Sequence, residues 1–101
     1  MIVVHATFPI DPEYREEALA QIEDLTQPSR AEDGMLDYRA ATDVEDPNVV
    51  RFVERYEDDQ ALAAHTQTDH FGEFEAALSD WLAGEPEILR FEVDAMSELE
   101  L

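Results

Sequence analysis

Two hydrophobic periods alternate along this chain, and their order leaves few folds open. Residues 2–8, Ile-Val-Val-His-Ala-Thr-Phe, are short, β-branched and aromatic, and Pro9 ends them, which reads as a strand. Asp11-Pro12 then offers a capping acid and a proline suited to a first helical turn. Tyr14, Ala18, Ile22 and Leu25 recur at helical spacing with acids between them, predicting a helix over about 12–26 that stops before Pro28. Residues 27–34 read as a loop. Residues 35–42 alternate as a strand, Glu45-Asp46-Pro47-Asn48 is a turn, and residues 49–57 complete a hairpin. On that last strand Val50, Phe52, Glu54 and Tyr56 share one face, and Val49, Arg51, Val53 and Arg55 share the other. Asp58-Asp59 caps a short helix to about Thr66 or Gln67. A further helix from Asp69 turns Phe71, Phe74, Leu78 and Trp81 or Leu82 inward, and Gly84 and Pro86 close it. Residues 87–96 make a final strand, and Ser97–Leu101 is expected as a frayed tail or a short extension onto a partner.

The order is β-α-β-β-α-β, with the second helix broken near 67–69. That is the split βαβ, ferredoxin-like α+β arrangement: an antiparallel four-stranded sheet with helices on one face. The uncovered face mixes two Val and two Arg from the third strand, and a second copy of the sheet would cover it. With 101 residues the chain suits one domain, spanning 1–101, and its stability margin is thin. A homodimer is therefore expected.

Charge bounds the partners. There are 26 acidic residues against six basic ones, all Arg, for a formal net charge of −20. Disorder is rejected because 45% of residues are hydrophobic and fall in periodic segments, with the acids spread among them. A coat of this kind repels itself in dilute buffer. At about 1 M salt, where the Debye length is roughly 3 Å, most of that repulsion is screened. The composition is that of a protein working in molar salt. It argues against nucleic acid, which requires a basic footprint, and against anionic membranes. No Cys is present, so disulfides, thiol catalysis and Cys-ligated zinc are excluded. Met1 runs straight into Ile2-Val3-Val4 without a basic leader and no apolar run has membrane-spanning length, so a cytoplasmic location is expected.

The stretch from Phe52 to Phe71 carries a recognisable pattern. A strand ends in Glu54-Arg55-Tyr56, an acid-capped helix carries His65 near its end, and Thr68-Asp69-His70-Phe71 follows. This resembles the antibiotic biosynthesis monooxygenase superfamily, and within it the quinol monooxygenase-like proteins, which share the His-x-x-Thr-x-His spacing. The resemblance implies a dimeric α+β barrel with two sheets face to face and one pocket per subunit between sheet and helices. It also implies oxidation of a small aromatic or quinol-like substrate by O2 with no cofactor, neither metal nor flavin. Some relatives instead degrade haem with an Asn, Trp and His set. Here His65 falls at the Trp position, Glu75 at the haem-ligating His, and His5 or Thr7 near the Asn, so haem degradation is not expected.

His65 is the leading catalytic candidate. Oxygenation without a cofactor needs a substrate anion able to pass an electron to O2, so a base must take a phenolic proton. A histidine titrates in the right range. Helical spacing puts His65 on the inward face with Ala61 and Leu62; the plainer reading is a structural histidine bonded to a strand or cap. The expected pocket set is His5, Phe52, Tyr56, His70, Phe71, Phe74 and Trp81. Against it stand a plain aromatic core for the Phe and Trp residues, a local cap for His70 and an interface position for His5. Tyr38 and Arg39 could reach a ligand from strand two. A covered Glu54 needs a partner, and Arg39 or Arg90 is expected to serve. His65 and His70 are not an i, i+3 or i, i+4 pair, so no metal site is expected. The acidic runs fit no calcium loop, and no phosphate loop or nucleophile elbow is present. The rival readings are a non-catalytic small-ligand or stress-accessory protein on the same fold, and a plain dimeric interaction module.

Overall fold

Alternation along β1, Ile2–Pro9, is strict: Ile2, Val4, Ala6 and Phe8 are buried, while Val3, His5 and Thr7 face the other way. β1 pairs antiparallel with β3, Val49–Tyr56, on one side and with β4, Glu87–Glu92, on the other. β2, Met35–Thr42, pairs antiparallel with β3, giving the strand order β2-β3-β1-β4. The computed structural model describes residues 1–101. Its element order is that of the ferredoxin-like α+β fold. No helix is long and apolar enough to cross a membrane.

Helices cover one face. Asp11 caps a 3₁₀ turn at Pro12–Tyr14, its carboxylate accepting from the Glu13 N–H at 3.0 Å, and α1 follows over Arg15–Arg30. Pro28 lies inside α1, whereas the sequence predicted a stop before it. A proline in the last turn forfeits a single backbone bond. The turn then tightens, with Ala31 N–H on Pro28 O and Glu32 N–H on Ser29 O, both at 3.2 Å. Arg30 Nε donates to Tyr38 O at 2.9 Å and ties the helix end to β2. The connection to β2 is thus short, and it carries Glu32 close under the helices.

The second helical stretch is two helices, α2 at Asp59–His65 and α3 at Asp69–Trp81. Asp58 caps α2 by accepting from Ala61 N–H at 2.9 Å, and Thr68 caps α3 by accepting from Phe71 N–H at 3.3 Å. Ala18, Ile22 and Leu25 of α1 and Phe74 and Trp81 of α3 pack with Phe8, Tyr38, Val50 and Phe52 of the sheet into one core. β4 ends at Glu92, short of the expected 96. β1 begins at Ile2, so after the Val93 N–H to Met1 O bond at 2.9 Å no strand remains to pair with.

The other face is uncovered. Val53, Leu89 and Phe91 are 43%, 44% and 42% exposed there, interleaved with Arg39, Arg51 and Arg55.

Candidate active site

Four strands and two helices wall a cavity of about 350 Å³ between the sheet and α2–α3. Its floor follows from strand alternation, with Val4 and Phe8 from β1, and Phe52, Glu54 and Tyr56 from β3. Tyr38 of β2 adds to it, and Ile88 and Arg90 of β4 form the exposed edge. Leu62, His65, Phe71, Phe74 and Leu78 close it from the helices. Phe8, Phe52 and Phe74 meet with every ring pair at 5.6 Å, so the wall is aromatic and stiff.

His65 is placed by two local devices. The first is Gly34, the one residue here with positive φ, at 79°. A Cβ at Gly34 would lie 2.7 Å from the Cβ of Ala61, so only glycine lets the α1–β2 connection press against α2. That contact brings Glu32 to His65. The second device is the break between α2 and α3. Thr68 Oγ1 donates to His65 O at 2.7 Å, and the chain turns so that the His65 and His70 rings lie 6.1 Å apart.

The result is a carboxylate shared by two imidazoles. Glu32 Oε2 lies 2.8 Å from His65 Nδ1 and 2.6 Å from His70 Nε2. His65 is 1% exposed and packs among Tyr38, Tyr56 and Phe71, with ring centroids at 5.0, 5.8 and 5.1 Å. Burial pushes its pKa down; the Glu32 carboxylate pushes it back up, and His70 adds a small further lowering. An ionised carboxylate only accepts, so a neutral His65 donates through Nδ1 and keeps its lone pair on Nε2. That Nε2 is buried and has no partner.

Glu54 is the second buried ionisable group, 8% exposed. Its partner is the Tyr56 hydroxyl, which donates at 2.6 Å, and not an arginine as the sequence suggested. Arg39 lies on the opposite face with Asp37, and Arg90 sits two strands away, paired with Asp59. Burial without a cation pushes the Glu54 carboxyl up to about 7, the Tyr56 hydrogen bond only partly offsetting it. The Tyr56 and Tyr38 hydroxyls are pushed above their ordinary value, chiefly by burial and then by Glu54, so both remain protonated donors.

Of the residues singled out from sequence, Tyr38, Phe52, Glu54, Tyr56, His65, Phe71 and Phe74 line the cavity. Three expected pocket residues lie elsewhere. Register puts His5 beside Val53 and Leu89 on the uncovered face, its ring edge-on to Phe91 at 5.1 Å. Trp81 is 1% exposed in the core and its indole N–H donates to Glu17 at 3.0 Å. His70 stands behind His65 on Glu32 rather than in the wall. Glu32 itself escaped the sequence reading, because an acid in a loop of so acidic a chain carries no periodic signal. The meeting of His65 and His70 on Glu32 carried no spacing signal for a related reason: helical offsets do not apply across a helix break.

Comparison with known proteins fits this architecture. Residues 1–77 match the family described as Antibiotic biosynthesis monooxygenase. The Bacillus subtilis (strain 168) protein named Putative monooxygenase YcnE is 34% identical over 93 residues, covering 92% of this chain and 98% of that one. The crystal structure of PA3566 from Pseudomonas aeruginosa superposes with TM-score 0.85 at 30% identity, covering 93% and 94% of the two chains. A Nitrosomonas europaea structure described as Putative antibiotic biosynthesis monooxygenase shares the fold at TM-score 0.88 and 19% identity, covering 94% of this chain and 100% of that one. With its family pattern, its sheet order and the cavity under its broken helix, the chain belongs to the antibiotic biosynthesis monooxygenase family.

Proposed function

We propose that the protein is a monooxygenase that hydroxylates a small aromatic, quinol-like substrate with O2, with His65 as the base. The observation that carries this reading is a neutral, buried histidine in the wall of an apolar cavity, its Nδ1 held by Glu32 and its Nε2 unpartnered. A cavity of about 350 Å³ suits a ligand of one or two fused rings. His65 Nε2 takes a phenolic proton, and the resulting phenolate is electron-rich enough to reduce O2. In the balanced reaction one oxygen atom enters a ring carbon and the other leaves as water, while the quinol is oxidised to the hydroxyquinone. Glu32 holds the base in the correct tautomer and stabilises the imidazolium once the proton arrives. Glu54, neutral below about pH 7, and the Tyr56 hydroxyl offer the polar contacts that orient the substrate's oxygens.

The working unit in this reading is a homodimer joined through the uncovered sheet face, and the chain is adapted to molar salt. The test is O2 uptake with benzo- and naphthohydroquinones in molar potassium chloride. His65→Ala is expected to lose at least roughly 100-fold in turnover while keeping its circular dichroism. Turnover unchanged in that variant would remove His65 as the base. Saturable quinol binding without product in the unmodified protein would favour the ligand-binding reading, which the almost wholly apolar wall also suits.

A further inference from the structure

We propose that Glu32, His65 and His70 form a site for one divalent first-row transition ion, of which zinc is the representative case. Glu32 Oε2, His65 Nδ1 and His70 Nε2 all lie within 4.8 Å of one another. They come from three separate stretches of chain that the Gly34 contact and the α2–α3 break force together. All three side chains are mostly shielded, at 13%, 2% and 24% exposure. Convergence of this kind, already assembled within the fold, is what a bound ion requires.

The donor set names the class of ion. Two imidazole nitrogens and one carboxylate oxygen suit zinc, iron(II), cobalt or nickel, whereas calcium and magnesium prefer oxygen alone. A tetrahedral ion with bonds near 2.0–2.1 Å holds its donors roughly 3.3 Å apart. Glu32 Oε2 now sits at 2.8 and 2.6 Å from the two nitrogens and must recede by less than about 1 Å, while the two nitrogens, within 4.8 Å of each other, close towards the same spacing. Glu32 follows the end of α1 in a short connection, outside any helix or strand. The approach is also built. His70 lines a surface depression together with Glu17, Asp24 and Glu73, and these acids concentrate cations at its mouth. Water from that side fills the fourth position.

The site stands whether or not His65 is a base; only its consequence rests on the proposed function. An ion on Nδ1 takes the place of the proton donated to Glu32. The neutral ring then carries its one proton on Nε2 and becomes a donor there, no longer able to accept a phenolic proton. Metal loading and base catalysis at His65 exclude each other, so the ion acts as a brake.

The experiment is titration of the metal-stripped full-length protein with Co2+, followed by absorbance, and with Zn2+, followed by calorimetry. Molar potassium chloride suppresses loose binding to the acidic surface. One saturable ion per chain is expected, with visible cobalt bands of low coordination number. His70→Gln and Glu32→Gln should each weaken binding by at least roughly 100-fold. Glu73→Gln, which changes only the mouth, should leave the cobalt spectrum as it is. His70 is partly exposed, so His70→Gln is expected to fold and decides the matter if Glu32→Gln does not. No saturable binding up to about 1 mM ion, or an affinity that His70→Gln leaves unmoved, overturns the site. If binding is absent while His65→Ala still abolishes quinol turnover, the metal site falls and the base survives.

Discussion

In one register row of the sheet, Tyr38, Glu54, Val4 and Arg90 point towards the helices; in the next, Arg39, Val53, His5 and Leu89 point away. Both rows mix charge with apolar bulk, yet the chemistry differs. On the covered face an acid has no cation within reach and settles its energy by holding its proton. On the open face the ion pairs Arg39–Asp37 and Arg51–Asp43, at 3.1 and 2.7 Å, are solvated and add little to stability. Burial sets the proton affinity of the inner row. Exposure leaves the outer row apolar between solvated pairs, with Val53, Leu89 and Phe91 standing clear among them.

The largest effect tests the outer row. Phe91→Glu puts a carboxylate in the middle of the open face of a chain already at −20, at a position 42% exposed, where the monomer fold tolerates it. In molar salt the unmodified protein is expected to sediment as a dimer and Phe91→Glu as a monomer. Dilution of the salt from about 1 M to 0.1 M, which stretches the Debye length from roughly 3 to 10 Å, should weaken the unmodified dimer too. A dimer that survives both changes uses another surface.

Glu54→Gln tests the inner row. In the fold the Glu54 carboxyl sits at about 7, against an ordinary 4.5. The folded state therefore holds this proton more tightly than the unfolded chain does. Its contribution to stability is whole below pH 4.5, falls as pH rises towards 7, and stays lost above that. Glutamine keeps the shape and the acceptor for Tyr56 without the charge. The variant should match the parent at pH 4.5 and exceed it by about 3 kcal/mol at pH 8, read by denaturant unfolding in molar salt. An equal gap at the two pH values would mean that Glu54 titrates normally and that the inner row is wetter than its burial implies.

How far each row was legible in the sequence follows from the same contrast. Alternation assigned Phe52, Glu54 and Tyr56 to the covered face, because a strand's period of two is local. Ferredoxin-like order was readable for the same reason, from short strands and capped helices in sequence. His5 was ambiguous, since only the packing of the helices on Ala6 and Phe8 decides which side of β1 is covered. Glu32 was invisible. It acts through a backbone contact at Gly34 and a helix break at 66–68, and long-range packing of that kind leaves no periodic trace. Pro28 misled in the opposite direction, because a local rule about helix interiors yields to tertiary anchoring of the last turn by Arg30.

The smallest effect probes the joint between the two helices. Thr68 Oγ1 accepts from the Phe71 N–H that opens α3 and donates to the His65 carbonyl that closes α2, at 3.3 and 2.7 Å. Thr68→Ala removes both bonds and should cost about 1 kcal/mol of stability, in the usual range for a lost cap. Thr68→Ser retains the hydroxyl and should restore most of it. The Glu32 cluster makes a sharper demand than stability does, because His65 and His70 meet only while the two helices hold their angle. If that angle rests on Thr68, cobalt affinity should fall in Thr68→Ala by more than the stability loss accounts for, and return in Thr68→Ser. If affinity stays level, the packing of Phe71 on His65, with ring centroids 5.1 Å apart, holds the helices by itself. The cap then serves α3 alone, and the convergence of the two histidines is a property of the core.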